Sequence, residues 1–517
     1  MINRRVDVSQ SGNVWMALIA LAVILYVIWQ LSNSITAGSF RAPLLLGVVF
    51  VAFFVGAKIA GDWRKGVYLF FVWLLFEDLI RKYMGNNMYV YFAKDVLVGV
   101  TYLSLIASDE ARHDAAHFRP PFRYVLGLFF LLGLVQVFNP ASPSIFYGLL
   151  GLKIYFYYVP LMFVGYAAFR AERDLHRFLV FSTGIAGIIA LIGILQSILG
   201  LDFLNPHSGA DIEELGHLVR TTPSGVLVAR PPSVFVSDGR FTEYLVLAAI
   251  LAVGTAGYLL LRKKGGRVIV FPALACVVVA AVLSGSRGAF MWVAGSAPLL
   301  AAGMLWGAPH AGGAAYRLAK AIRRAFTFVA VALFLTVVFF PNVIGARLTF
   351  YRETLSPDSP DTELYSRTWF YPVANFLGAF ADPAWPVGHG IGTASLGVQY
   401  VSRILEVPYP NVGVESGYGN LVLEFGILGL ILWVLWTAAL VFASLRVLMK
   451  LKGTWAFPVA FSIAFFGFLL LFPFTYEGLV AYQNYVLNAF LWFLVGVLFR
   501  LPSLVKQGPQ EASSDLR

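Results

Sequence analysis

Charge is what this sequence has least of. Only 13% of its 517 residues are Asp, Glu, Lys or Arg, about half the share that a soluble domain uses to coat its surface. With 59% hydrophobic residues and a mean hydropathy of +0.76, the missing polar coat means that lipid solvates most of the chain. Cysteine is nearly absent as well. Cys276 stands alone inside an apolar run, which excludes an internal disulfide, and no Cys/His cluster has metal-ligand spacing. No metal and no cofactor is therefore expected. Acidic residues are the scarcer charge, 27 against 38 basic ones for a net charge of +11. That excess does not point to nucleic acid, because the basic residues sit in short connections between apolar runs and act as topology signals.

What is present in quantity is apolar sequence in pieces long enough to cross a bilayer, about 20 residues each. Such runs fall near 14–31, 43–60, 66–82, 89–107, 122–138, 147–169, 177–199, 241–261, 267–283, 288–306, 326–344, 417–443, 456–474 and 481–499. They predict an all-α polytopic membrane protein of roughly fourteen spans. The first run is long and no small-residue cleavage site follows it, so it is expected to be a span and not a removed signal peptide. The 45 phenylalanines and 48 glycines suit aromatic-rich spans with small residues where helices approach closely.

Sidedness follows from the positive residues. With Arg4 and Arg5 inside, every second connection should be basic. Those connections carry Lys58/Arg64/Lys65, Arg112/Arg119/Arg123, Arg170/Arg173/Arg177, Arg262/Lys263/Lys264/Arg267, Arg317/Lys320/Arg323/Arg324, Arg446/Lys450/Lys452 and then Arg500/Lys506. Both termini are thus expected in the cytoplasm. Residues 1–505 read as one membrane domain, and the polar tail 506–517 reads as disordered. Two connections are long and both fall outside: 200–240, and 345–416 between spans eleven and twelve. The second holds aromatics throughout, and stretches such as SRTWFYPVANFLGAF (366–380) are expected to form short amphipathic helices. No internal repeat is visible.

Arginine on the outside runs against the orientation rule, so outside arginines need a reason. Arg230 and Arg240 precede span eight, Arg287 centres the short turn SGSRGAF, and Arg367 lies in the long loop. A guanidinium is always charged and its fork grips phosphate oxygens in pairs. Glu415 stands at the entry to span twelve, where partial burial would make it a general base; favouring the positive end of that helix is the competing role. Glu424, deeper in the span, is expected to be the buried partner of an arginine. His389 lies in the glycine-rich PVGHGIG stretch, and Tyr418 in ESGYGN. Lys94, Asp95 and Lys153 are charges within spans, with Lys94 and Asp95 placed to neutralise each other.

In their order, four stretches resemble the O-antigen ligase and O-antigen polymerase superfamily of bacterial envelope glycosyltransferases. They are RPPSVFVSDGRFTEY, LSGSRGAF, SRTWFYPVANFLGAF with PVGHGIG, and ESGYGNLVLEFGILGL, with weaker support from FAKDVLVG and GLKIYFYYVP. The resemblance covers about residues 90 to 445. It implies a GT-C-like bundle in the bacterial inner membrane and a metal-independent, inverting glycosyltransferase with its active site facing the periplasm. Donor and acceptor would be oligosaccharides on undecaprenyl diphosphate. A chain-length regulator and a flippase are the partner proteins it points to.

The family's diphosphate-gripping arginines map to Arg230, Arg287 and Arg367, with Arg240 weaker, and Glu415 takes the catalytic place. Ligases acting on lipid A core or protein have a histidine–asparagine pair where this chain has Glu415–Ser416. That difference favours a polymerase of O-antigen or exopolysaccharide repeats. Beside it stand a ligase, a lipid-linked oligosaccharide flippase, and an assembly scaffold. A flippase would concentrate charge at the bilayer midplane in symmetrical halves.

Overall fold

The computed structural model describes residues 62–84, 88–205, 218–222, 224–262, 264–309, 313–356 and 364–514. The expected spans 14–31 and 43–60 lie outside the described residues. The fold is 77% helical with almost no sheet, an all-α membrane protein. Every apolar run expected from residue 66 onward is mainly helical, though 147–169 and 326–344 are each divided between two helices. By length and composition, nine helices among the described residues are able to cross a bilayer.

The chain begins with α1 (Trp63–Tyr83) and α2 (Met88–Ala107), followed by the short polar α3 (Asp109–His117) and then α4 (Arg123–Gln136). The run expected at 147–169 is a broken span, α5 (Ile145–Phe156) and α6 (Leu161–Ala168). The interruption ends at Pro160, which has no N–H to continue a helical ladder. Next come α7 (Glu172–Leu199) and a small antiparallel hairpin, β1 (Val219–Thr221) with β2 (Leu227–Ala229), in which Arg220 pairs with Val228. Then follow α8 (Asp238–Arg262), α9 (Arg267–Leu283), α10 (Arg287–Trp306), α11 (Ala314–Phe339) and α12 (Pro341–Leu355).

Among its described residues the long connection is partly helical, as expected, with irregular segments at 382–397 and 406–416. It contains a π-helical turn Ser366–Phe370, α13 (Tyr371–Gly378), a 3₁₀ turn Ala379–Ala381 and α14 (Val398–Leu405). The bundle closes with α15 (Gly417–Leu451), α16 (Phe457–Leu469), a π-helical stretch Leu470–Phe474, the single turns α17 (Thr475–Glu477) and α18 (Val480–Gln483), and α19 (Tyr485–Ser514). The last helix therefore runs into the segment whose composition predicts disorder.

The most enclosed spans are α8 and α19. Around them one continuous core joins α1, α6, α7, α15 and α16. Lipid is as apolar as leucine, so packing in this environment rests on close fit. At the contact of α6 with α19, a Cβ built on Gly165 would lie 2.0 Å from the Phe493 carbonyl oxygen. Only glycine permits that approach. Deeper in the core, Trp436 stacks on Trp492 with centroids 5.6 Å apart.

Candidate functional site

The first turns of α15 carry the most distinctive local chemistry. Ser416 caps the helix, its Oγ accepting from the Gly419 amide at 3.3 Å. Glu415 sits just before the cap, where the positive end of the helix favours a carboxylate. Two-thirds of its side chain is exposed, 67%, and its Oε2 pairs with Arg367 Nη1 at 3.2 Å. The partial burial expected for Glu415 is not found. Arg367 and Glu415 face an open cavity of about 660 Å³ whose wall also includes Tyr371, Asn375, Asn420 and Ala394. Tyr418, on the first turn of α15, packs instead against the main core.

Nine residues into α15 the helix breaks. Gly426 adopts φ 72°, ψ −174°, a left-handed φ that a residue with a side chain enters only with strain. The break frees backbone groups, and the glycine-rich segment 386–397 fills the gap. Its His389 and Gly390 amides donate to the Leu423 and Glu424 carbonyls at 2.7 and 3.1 Å. Gln136 Nε2 donates to the Val387 carbonyl at 2.6 Å, and Asn139 Nδ2 to that of Gly388 at 2.8 Å. A Cβ on Gly392 would lie 2.0 Å from the Tyr147 carbonyl oxygen, so the segment is wedged between α5 and α15. Irregular backbone at membrane depth is tolerated when it is enclosed and satisfied in this way.

Glu424 holds the wedge. Fully buried, its Oε1 accepts from the Ala394 amide and the Ser395 hydroxyl, both at 2.8 Å, while Oε2 accepts from Tyr155 at 2.7 Å. No arginine is among these partners, contrary to the sequence expectation. Hydroxyl and amide donors suffice: the wedge supplies the Ala394 amide and the Ser395 hydroxyl, and α5 supplies Tyr155. Its neighbour Leu396 donates its amide to Gln483 Oε1 at 2.8 Å.

His389 is a clasp on the same segment, its Nε2 lying 3.0 Å from both oxygens of Asp382. Burial would raise the Asp382 carboxyl, but the His389 bond and the Ala384 amide outweigh it and hold the group below its ordinary value.

Two more of the sequence-predicted arginines, Arg230 and Arg287, lie on neighbouring elements, and neither lines the cavity of Arg367 and Glu415. Arg230 follows β2 and pairs with Asp238 at 2.5 Å. The turn that starts α10 folds against it, so that a Cβ built on Gly285 would lie 3.3 Å from Arg230 Cγ. Arg287 begins α10 with its guanidinium carbon 5.7 Å from the centre of the Phe350 ring. Sequence reasoning missed Arg347, which ties this region together. Buried in α12, it donates from Nε to the Leu283 carbonyl at 3.0 Å and from Nη2 to the Ala229 carbonyl at 3.0 Å. No motif surrounds it. The one available signal was an arginine between aromatic and apolar residues in a long connection.

Arg240 belongs elsewhere. It donates to Asp78 at 2.9 Å and lies 4.8 Å from the Tyr485 ring centre, while Asp78 also pairs with Arg81 at 3.1 Å. Beside this group Lys94 pairs with Glu77 at 3.0 Å, both fully buried, and Asp95 pairs with Lys153 at 2.5 Å. Lys94 and Asp95 do not neutralise each other, as the sequence suggested. Adjacent helical residues point about 100° apart, so each finds its partner on a different helix.

Among the described residues no group of three His, Cys, Asp or Glu side chains is placed to hold a metal ion. No family model matches the chain, and no curated protein matches it.

Proposed function

We propose that this protein is a membrane glycosyltransferase that joins undecaprenyl-diphosphate-linked oligosaccharide repeats into O-antigen or exopolysaccharide. The observation that supports this reading best is the Arg367–Glu415 pair, exposed in a cavity of about 660 Å³ at the mouth of a broken span. In this reading the chain has about fourteen spans with both termini in the cytoplasm. The cavity then opens to the periplasm of a bacterial inner membrane.

The chemistry assigns each group a task. Glu415, exposed in the cavity, is covered by the bound acceptor and takes the proton from its hydroxyl, a contribution of about 10²–10⁴-fold. The hydroxyl oxygen bonds to the anomeric carbon of the donor from the face opposite the diphosphate. The carbon–oxygen bond to the diphosphate breaks, and undecaprenyl diphosphate leaves with the electron pair, so configuration inverts. Arg230 and Arg287 are assigned to the charge growing on the departing diphosphate, where one preorganised donor is worth about 3 kcal/mol. Arg367 is assigned to orienting Glu415, and Arg240 to the buried ion network. Undecaprenyl diphosphate is already a good leaving group, which fits the metal-independence that the family resemblance implies.

The helix break at Gly426 favours a second reading, since broken helices are common where transporters bind substrate. Against it, the break is packed solid by the wedge. Incubating purified protein with an undecaprenyl-diphosphate repeat unit, without metal or nucleotide, tests the proposal. A ladder of lengths is the expected result. Transfer of one glycan to lipid A core means a ligase, and movement of the repeat across vesicle membranes without chain growth means a flippase.

A further inference from the structure

The cavity beside Glu415 has a composition that the transfer chemistry alone does not require. Arg367, Tyr371 and Asn375 are spaced four residues apart and share one face of the π-helical turn and α13. All three line the cavity, with Asn420 opposite on α15. Arg367 spends its charge on Glu415, so the two together are neutral. A diphosphate entering here would compete with Glu415 for one guanidinium and meet the carboxylate itself.

The remaining wall suits an uncharged, hydroxyl-rich ring. Asn375 Nδ2 donates to the Tyr371 carbonyl at 2.8 Å, which leaves its Oδ1 as an acceptor. Asn420 does the reverse, its Oδ1 accepting from the Val414 amide at 3.0 Å, which leaves Nδ2 as a donor. One acceptor and one donor across a polar cavity match hydroxyl groups, which both give and take hydrogen bonds. Tyr371 adds a half-exposed aromatic ring, 42% accessible, with the Arg367 guanidinium carbon 5.5 Å from its centre on one side. The ring face carries negative quadrupole density, to which the C–H face of a sugar is attracted. A volume of about 660 Å³ falls within the roughly 300–1,000 Å³ of small-molecule sites.

We infer that this cavity is a neutral-saccharide subsite, in which Tyr371 stacks against a sugar ring while Asn375 and Asn420 read its hydroxyl groups. It is distinct from the place of the donor diphosphate. That the bound sugar is the acceptor of a transfer rests on the proposed function; that the cavity takes a saccharide does not.

The test uses the full chain in detergent and saturation-transfer NMR with methyl glucoside, methyl galactoside and methyl N-acetylglucosaminide as probes. Magnetisation should pass to the ring protons of at least one glycoside. Tyr371→Ala should cut it at least fivefold, Tyr371→Phe should keep it, and Asn375→Ala should reduce it without lowering the melting temperature. Millimolar pyrophosphate should leave the signal unchanged. Absence of transfer from all three glycosides, transfer indifferent to Tyr371→Ala, or displacement by pyrophosphate would each overturn the subsite. Chain growth is measured separately on the lipid-linked repeat. Growth without Tyr371-dependent sugar contact sinks the subsite and spares the polymerase, whereas sugar contact without growth does the opposite.

Discussion

Tyr155 on α5 donates its hydroxyl to Glu424 on α15 at 2.7 Å, so that α5 is tied to the same carboxylate that receives the Ala394 amide and the Ser395 hydroxyl of the glycine-rich wedge. Glu424 is fully buried and takes its hydrogen bonds from Tyr155, Ser395 and the Ala394 amide. Removing one leaves a buried acceptor short of a partner, which costs about 1–3 kcal/mol. Tyr155→Phe should therefore lower the melting temperature in detergent. Glu424→Gln should lower it further, because an amide N–H₂ would then face donors. Unchanged melting in both variants would show that the wedge is held by other contacts.

The break itself makes a sharper demand on one residue. An alanine at Gly426 would need φ 72° and would place its Cβ 2.4 Å from the Pro386 carbonyl oxygen. Strain of this kind costs about 1–3 kcal/mol before the clash is counted. Gly426→Ala should fold in poor yield. At Gly345, in an exposed turn of α12 with no atom near the added Cβ, the same change should be neutral or stabilising by up to about 1 kcal/mol.

The pair Lys94–Glu77 is fully enclosed, and breaking one side of such a pair costs about 3–5 kcal/mol. Lys94→Met and Glu77→Leu alone should each reduce the amount of folded protein recovered from membranes. The double variant should recover most of it, since two apolar side chains replace two desolvated charges. If the double variant is no better than the singles, the pair has a task besides neutralisation.

Glu415 and Arg287 make the catalytic prediction. Glu415→Gln should lower polymer formation by about 10²–10⁴-fold, and Arg287→Ala by about 100-fold, the equivalent of 3 kcal/mol. Protein level should hold in both, and single lipid-linked repeats should accumulate. Normal polymer in both variants would remove them from the active site.

Asp382 gives a pH dependence. Its carboxyl is held below the ordinary value by His389 and the Ala384 amide, against the opposing effect of burial. A folded value below the unfolded one contributes stability above the ordinary carboxylate range, near pH 4, and loses it as pH falls through the folded value. Hydrogen exchange of segment 382–397 should therefore quicken on acidification below about pH 4. In Asp382→Asn it should already be fast at pH 6 and lose that pH dependence.

The sequence by itself determined the all-helical membrane class and, from residue 66 onward, where the apolar helical segments fall, but not where they break. Solvation by lipid is a local property: a run of twenty apolar residues needs no knowledge of its neighbours to leave water. It also flagged Arg230, Arg287, Arg367 and Glu415, because charges interrupting apolar sequence are visible wherever they fall.

Only the tertiary structure decided who partners whom. Arg367 meets Glu415 across 48 residues, and Tyr155 meets Glu424 across 269. Arg240 joins Asp78 on the first described helix, and an unflagged Arg347 bridges the ends of α9 and β2. Such pairings depend on where helix faces lie in the bundle, and hydropathy is blind to that. The break in α15 was hidden for the same reason. Its glycine looks like any other in a span until the wedge that satisfies its freed backbone is seen packed against it.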